Sequence, residues 1–256
     1  NLSYSKINAN KLVGDLFSYD EFKTAFDTIL GGAGIESYSL SRFDMRFDSF
    51  DPEHYRDYAK LNRYLISALA VTYNVQNCYD SRNLFSQKQL SVAIKNKRFE
   101  CENYDKEAES GGRDPAYARL ELRSKCLTSN DIEKQFHGWY IRLDKALKNL
   151  DKVHQRYNDE LEKIYKEEKD AFPVKFRSLT DFLIQYQNCI FCKAQMIDLL
   201  SRFDEVKNPE TRAKNHKKRY GIEYFSKMDV EYAVAEIKRA AEKFFEGTEM
   251  NLFEKS

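Results

Sequence analysis

The chain has 256 residues, of which 42% are hydrophobic and 32% are charged, and its formal net charge at pH 7 is +1. This composition predicts a folded protein with a hydrophobic core, and the length allows one large domain or two smaller ones. No run of 18 apolar residues occurs, so no segment is expected to span a membrane. The near-zero net charge excludes a global electrostatic attraction to nucleic acid. Five cysteines, an odd number, favour a reducing cytoplasmic location over a disulfide framework.

Two helices are predicted in the first part of the chain, to about residue 127. Apolar residues recur at i, i+4 and i+8 between Tyr19 and Leu30, which is the spacing of one helix face. Glycines follow directly and end that helix. The second helix is expected to begin at Asp51-Pro52, because aspartate caps helices and proline suits their first turn. It should run to about Tyr73.

Three further segments, at 40–48, 98–105 and 117–123, predict β-strands in which every second residue is polar, most often charged. Successive side chains of a strand point to opposite faces of the sheet, so each segment divides into an apolar row and a polar row. The segment at 98–105 is expected to form a β-hairpin with 90–94, and a strand at 2–7 is also expected. The polar rows contain Arg42, Asp44, Arg46 and Asp48, then Arg98, Glu100, Glu102 and Tyr104, then Arg119, Glu121 and Arg123.

Every segment after Thr128 predicts helix. A charged amphipathic stretch from 132 to about 172 ends before a proline, and further helices are expected over 178–203 and 228–245. The whole pattern predicts an α+β fold, with a mainly antiparallel central sheet, helices packed on one of its faces and a helical C-terminal part. We expect two domains, 1–127 with the sheet and 128–256 with the helices.

The polar rows contain the residue types that phosphodiester chemistry requires. Acidic residues are usually depleted in strands, yet Asp44 and Glu121 lie in mid-strand beside arginines. Carboxylates bind hard cations such as Mg²⁺ and Mn²⁺, guanidinium groups bind phosphate, and a tyrosine can attack phosphorus. The alternative is a solvated sheet face on which cross-strand ion pairs contribute about 0.2–1 kcal/mol each.

Tyr104 stands out among the 17 tyrosines by its position in a polar row at a strand end. An ordinary tyrosine has a pKa of about 10 and needs assistance to act as a nucleophile. A metal that polarises the phosphate, together with Lys106 or an arginine, would supply it. The alternative is a tyrosine that only packs.

The segments 41–48, 98–107 and 118–125 resemble, in this order, the motifs of rolling-circle replication initiators. The likeness is nearest to the RepC/RepD-type initiators of Gram-positive plasmids, the Rep_trans family, which is related to the HUH endonucleases and relaxases. It covers roughly residues 38 to 125. The His-hydrophobe-His motif of HUH enzymes is absent from this chain, as it is from the RepC/RepD-type group.

The resemblance implies a metal-dependent DNA nickase and strand transferase with a five-stranded antiparallel sheet. Tyr104 falls on the nucleophile, which attacks an origin phosphodiester, forms a 5′-phosphotyrosyl link and frees a 3′-OH. Asp44 and Glu121 fall on the metal ligands for Mg²⁺ or Mn²⁺, with Asp48 as a third. Lys106 is expected to assist catalysis.

The expected partner is origin DNA, both double-stranded and extruded single-stranded, with a host helicase and a second copy of the chain as further partners. DNA contacts are expected from four arginines of the sheet and three residues of the basic segment at 212–220, where phosphate contact would give a salt-dependent affinity. A solvated helix end is the alternative for the basic segment. The expected DNA-binding residues are Arg42, Arg46, Arg119, Arg123, Lys217, Lys218 and Arg219.

Three other interpretations stay open. The chain could be the relaxase of a conjugative element, which uses the same chemistry. It could also be a non-catalytic DNA-binding protein on the same scaffold, or a helical scaffold protein with no affinity for nucleic acid.

Overall fold

The computed structural model describes residues 18–49, 53–75, 91–105, 117–171, 173 and 175–246. Within these residues the fold is α+β, as predicted, with an antiparallel sheet followed by helices. The strands are β1 (Arg42–Ser49), β2 (Val92–Lys95), β3 (Phe99–Asp105) and β4 (Ala118–Lys125). The helices are α1 (Tyr19–Gly32), α2 (Tyr55–Tyr73), α3 (Ile132–Leu147), α4 (Leu150–Glu168), α5 (Leu179–Gln185), α6 (Lys193–Ser201), α7 (Pro209–Tyr220) and α8 (Lys227–Phe244), with a 3₁₀ turn at Gln187–Cys189.

The described strands pair in the order β1-β4-β3-β2, and every pair is antiparallel. The predicted hairpin is confirmed, since β2 and β3 are neighbours. Four strands are described where the resemblance implies five, and the expected strand at 2–7 lies outside the described residues. The sheet therefore has β1 and β2 at its described edges.

One face of the sheet is buried under helices. The apolar rows of β3 and β4 are almost fully inaccessible, and α2 packs across β2, β3 and β4. Helix α3 adds two aromatic contacts on the same face: Phe136 meets Phe43 of β1 at 5.3 Å, and Trp139 meets Phe99 of β3 at 5.5 Å between ring centroids. Full burial of a phenylalanine side chain such as Phe99 contributes roughly 1.5–3 kcal/mol. The opposite face carries the polar rows, whose side chains range from 7% exposed at Asp48 and Arg119 to 58% exposed at Arg42.

The predicted helix over 132–172 is in fact two helices. Helix α3 begins after Asp131, whose side chain accepts from the Lys134 N–H at 3.2 Å. It ends where the Asn149 side-chain amide donates to the Lys145 carbonyl at 3.0 Å and to Thr72 Oγ1 of α2 at 3.1 Å. A tertiary contact with another helix thus stabilises the break, which the amphipathic pattern alone does not show.

The predicted helix over 178–203 is also interrupted. The buried Gln195 side chain accepts from the Phe191 N–H at 2.7 Å and donates to the Cys189 carbonyl at 2.9 Å. The Cys192 thiol caps α6 by accepting from the Gln195 N–H at 3.3 Å. These bonds satisfy the backbone groups that a helix would otherwise pair, so the loop is stable inside the protein.

The starting point of α2 is the third difference. The structure begins this helix at Tyr55, with His54 in the capping position and without a side-chain cap. Asp51 and Pro52, which were predicted to open it, lie outside the described residues. The predicted end at Tyr73 is confirmed, with Asn74 in the left-handed conformation at φ 48°.

The chain divides into two compact units. One comprises 40–235 and contains the sheet together with the helices from α2 to α7, and the other comprises 1–39 and 236–256. The predicted boundary between 127 and 128 falls inside the larger unit, because α2 packs against the sheet and also against α3 and α4. None of the described helices is long and apolar enough to cross a membrane.

Candidate active site on the polar sheet face

The strand register arranges the polar rows into three cross-strand lines on the polar face. Charged side chains at directly opposed positions of neighbouring strands lie close enough to pair. The lines are Asp48–Arg119–Tyr104, Arg46–Glu121–Glu102 and Asp44–Arg123–Glu100, each running from β1 through β4 to β3.

Arg123 is the centre of an ion-pair network. Its Nη1 lies 2.6 Å from Glu100 and 2.9 Å from Glu102, and its Nη2 donates to Glu121. Asp44 is farther away, at 3.8 Å from Nε. Burial acts to raise the pKa of Glu100, but hydrogen bonds and charge from Arg123 outweigh it, so the pKa is below its usual value. One guanidinium therefore holds several carboxylates on adjacent strands.

Arg119 and Asp48 form a bidentate pair. The Asp48 carboxylate accepts from Arg119 Nε at 2.6 Å and from Nη2 at 2.8 Å, and only 7% of each side chain is exposed. Nη2 also donates to the Tyr117 hydroxyl at 3.0 Å. Burial alone would lower the pKa of Arg119, but the bonds and charge of Asp48 outweigh it and leave the pKa above its ordinary value. The guanidinium is therefore charged and fixed in orientation.

Tyr104 lies between these two arginine clusters. Its hydroxyl donates to Glu121 Oε1, and the Arg119 guanidinium lies 5.9 Å from its ring centroid. Burial raises the pKa of Tyr104, and the bond to Glu121 raises it further, while the hydrogen bond with Arg119 lowers it. At neutral pH the phenol is protonated, with its proton directed at a carboxylate.

The oxygens of the three expected metal ligands all accept hydrogen bonds from the protein. Both oxygens of Asp44 accept from Arg42, both of Asp48 from Arg119, and those of Glu121 from Tyr104 and Arg123. In the described part of the chain, no group of three or more His, Cys, Asp or Glu side chains is arranged to hold a metal ion. In this arrangement the three carboxylates do not fit a shared metal, and metal dependence stays a prediction.

The four arginines expected to bind DNA differ in exposure. Arg42 and Arg46, on the edge strand β1, have side chains 58% and 40% exposed. Arg119 and Arg123 are 7% and 16% exposed and donate to carboxylates. The first two are accessible to solvent, whereas the other two are held inside the ion-pair network of the sheet face.

The basic segment lies in helix α7, and Lys217, Lys218 and Arg219 occupy its last turn. Asn208 caps its start by accepting from the Thr211 N–H at 3.0 Å, and Gly221 ends it at φ 64°, a left-handed conformation that suits glycine. Lys217 pairs with Glu223 at 3.4 Å. Among the described residues, Lys214, Lys218 and Arg219 are exposed and form no ion pair.

Three participants of the site were not singled out from the sequence. Glu100 and Glu102 belong to a predicted polar row, and this alternation is the signal in the sequence that could have identified them. In the structure Glu100 lies opposite Arg123 and Glu102 lies opposite Glu121. Tyr117 offered no such signal, because only the fold brings its hydroxyl to Arg119. Lys106, expected to assist catalysis, lies outside the described residues.

A second cluster of titratable side chains lines a cavity of about 490 Å³ elsewhere in the larger unit. His154 Nε2 bonds the Tyr64 hydroxyl and lies 3.6 Å from the Cys192 thiol. Burial lowers the pKa of His154 and raises the pKa of Cys192. Both are therefore neutral near pH 7, which is unlike the thiolate–imidazolium pair of a cysteine nucleophile.

No family model matches the chain, and no curated protein or solved structure shows significant similarity to it.

Proposed function

We propose that the protein is a DNA nickase and strand transferase that uses Tyr104 as its nucleophile to start rolling-circle replication. One observation carries the proposal: on the polar sheet face, the Tyr104 hydroxyl donates to the Glu121 carboxylate beside the fixed guanidinium of Arg119. A nucleophile in contact with a base and close to a cation is the arrangement that phosphoryl transfer requires. The motif resemblance to replication initiators supports the same chemistry.

The reaction would proceed by direct displacement at phosphorus. Tyr104 Oη forms a bond to phosphorus while its proton passes to Glu121 Oε1, and the bond from phosphorus to the 3′ oxygen breaks. That oxygen takes a proton from water to give the free 3′-OH, and the 5′ phosphate stays on the tyrosine. Because the pKa of Tyr104 is raised by burial and by Glu121, the phenol does not ionise by itself at neutral pH. Attack and proton transfer are therefore coupled.

The experiment is incubation with supercoiled DNA that carries the cognate origin, with and without Mn²⁺. Mass spectrometry then identifies any peptide linked to DNA. We expect an adduct on Tyr104, lost in Tyr104→Phe with origin binding retained. Tyr117→Phe is the matched control, since this hydroxyl also contacts Arg119 but is not bonded to Glu121. An adduct that persists in Tyr104→Phe would contradict the proposal.

A non-catalytic DNA-binding protein is the second candidate function. It is favoured by the complete pairing of the carboxylate oxygens of Asp44, Asp48 and Glu121, which is also what a purely structural ion-pair network would show. Origin binding without any covalent adduct, at every divalent-ion concentration, would support it.

The proposed partners follow from the proposed reaction. They are origin DNA, a host helicase that unwinds beyond the nick and a second copy of the chain, in a cytoplasmic setting. A relaxase of a conjugative element would use the same tyrosine chemistry. Cleavage of a transfer origin in place of a replication origin would distinguish it.

A further inference from the structure

We propose that Arg119 is a catalytic residue, which stabilises the charge on the phosphodiester as Tyr104 attacks, and that Asp48 is its positioning residue. This inference rests on the proposed function and assigns to both residues roles other than DNA binding and metal coordination.

Arg119 and Asp48 hold each other in a fixed geometry. Two parallel N–H···O bonds, at 2.6 and 2.8 Å, join the guanidinium edge to the carboxylate. This fork-to-fork contact fixes the plane of the guanidinium as well as its position. A third bond, from Nη2 to the Tyr117 hydroxyl, fixes it from another side.

The fixed cation of Arg119 lies beside Tyr104. Arg119 is directly opposite Tyr104 in the register of β4 and β3, with its guanidinium close to the phenol ring. A phosphate within bonding distance of the Tyr104 oxygen would therefore meet this cation. A cation held in advance needs no rearrangement when charge develops, which is why such groups contribute strongly to catalysis.

Arg46, the other arginine near Asp48, contrasts with Arg119. Its Nε lies 3.6 Å from Asp48 Oδ2, and its side chain is 40% exposed against 7% for Arg119. Arg46 is a solvated arginine near the edge of the sheet, whereas Arg119 is inside the network. Asp48 thus contacts two arginines, of which Arg46 is at the surface and Arg119 is held in a fixed position. Arg46 is therefore a matched control.

The test is chemical rescue. Arg119→Ala should form the Tyr104 adduct roughly 10²–10³-fold more slowly at saturating DNA, as expected when one charge-stabilising donor is removed. Added guanidinium ion at millimolar concentration should restore much of the rate, because Asp48 remains to bind it where the side chain was. The double variant Asp48→Asn/Arg119→Ala should be equally slow and should not respond to guanidinium.

Two further variants separate charge from geometry and recognition. Arg119→Lys keeps the charge without the planar fork and should recover only part of the rate. Arg46→Ala should weaken DNA binding, seen in KM, with kcat nearly unchanged. If Arg119→Ala does not fold, Arg119→Gln and Asp48→Asn/Arg119→Gln replace it. Both variants lack the guanidinium, so both should have a low kcat. The two kcat values should be equal, because Asp48 acts only through Arg119.

The outcomes distinguish this inference from the proposed function. A wild-type chain that forms no adduct on Tyr104 overturns both. A wild-type adduct together with unimpaired cleavage by Arg119→Ala, or with slow cleavage that guanidinium does not restore, overturns this inference alone. So does an Asp48→Asn variant whose main defect is a higher Mn²⁺ concentration for half-maximal activity, since that is the behaviour of a metal ligand.

Discussion

At the scale of single residues, the polar sheet face depends on how two arginines share the carboxylates of three strands. Arg119 pairs with Asp48, whereas Arg123 pairs with Glu100, Glu102 and Glu121. Acidic residues this close together repel one another unless a cation lies between them. Arg123 therefore stabilises this sheet face by reducing the repulsion between its carboxylates, in addition to any contact with DNA.

Replacing Arg123 by alanine should destabilise the protein. Its removal leaves several carboxylates without their shared cation, and the loss of one partner of a buried pair costs about 3–5 kcal/mol. Because this site is partly solvated, we expect about 2–3 kcal/mol, measured by urea unfolding. Lys125→Ala is the control on the same strand: its single pair with Glu100, at 3.4 Å, should be worth less than about 1 kcal/mol. Equal effects of the two substitutions would contradict a central role for Arg123.

Lys60 of α2 predicts a specific pH dependence. Burial lowers its pKa from 10.5 to about 8, so between these values the unfolded chain binds more protons than the folded one. Stability then rises with pH, by about 3 kcal/mol over the window for a shift of this size. Lys60→Met lacks this dependence, so its stability relative to the wild type should fall by that amount from pH 7.5 to 10.5. Urea unfolding across this range measures it, with the exposed Lys134→Met as a control that should show no trend.

At the scale of elements, capping decides the lengths of the helices. The Asn149 amide ends α3, and Asn208 and Gly221 delimit α7. Basic residues in the last turn of α7 also complement the negative end of the helix dipole, which contributes about 0.3–1 kcal/mol per charge. Interaction with the helix dipole thus accounts for part of the positive charge of α7. Only the rest of that charge requires a binding partner to explain it.

The unpaired basic residues of α7 should contact the DNA backbone. Replacing Lys214 and Lys218 by glutamine should weaken binding to origin and random duplexes alike and reduce the slope of log affinity against log salt by about one to two. Cleavage at saturating protein should be nearly unchanged. Lys163→Gln/Lys166→Gln on α4 removes two exposed lysines that pair with glutamates and should have no effect. Loss of affinity for the origin alone would mean that α7 reads bases, and no loss would leave it a solvated helix.

At the scale of the whole molecule, the sheet and the helices that follow it belong to one compact unit, 40–235. Helix α2 connects them, because its residues pack on three strands and on α3 and α4. The Ser67 hydroxyl, for example, bonds the buried Tyr157 hydroxyl of α4 at 2.6 Å. Elements that share a core in this way unfold together.

This sharing predicts cooperative opening of the larger unit. In native-state hydrogen exchange with increasing denaturant, the slowest amides of β4 and α4 should converge on the same free energy of opening. Measurement by mass spectrometry of peptides from both elements tests this. Exchange of α4 at a clearly lower free energy than β4 would show instead that the helical part unfolds separately, along the boundary predicted at residue 127.

The sequence by itself determined the strands and their two faces, since alternation assigns each residue of a strand to one side of the sheet. It thereby placed Tyr104, Asp44, Glu121 and the arginines together on the polar face. Only the tertiary structure decided which arginine meets which carboxylate, because the order β1-β4-β3-β2 and its register come from pairing between distant segments. The break at Asn149 and the interruption between α5 and α6 likewise depend on hydrogen bonds that the folded structure supplies. Local periodicity reports the face that a side chain occupies, whereas the partner on that face depends on contacts between residues far apart in the chain.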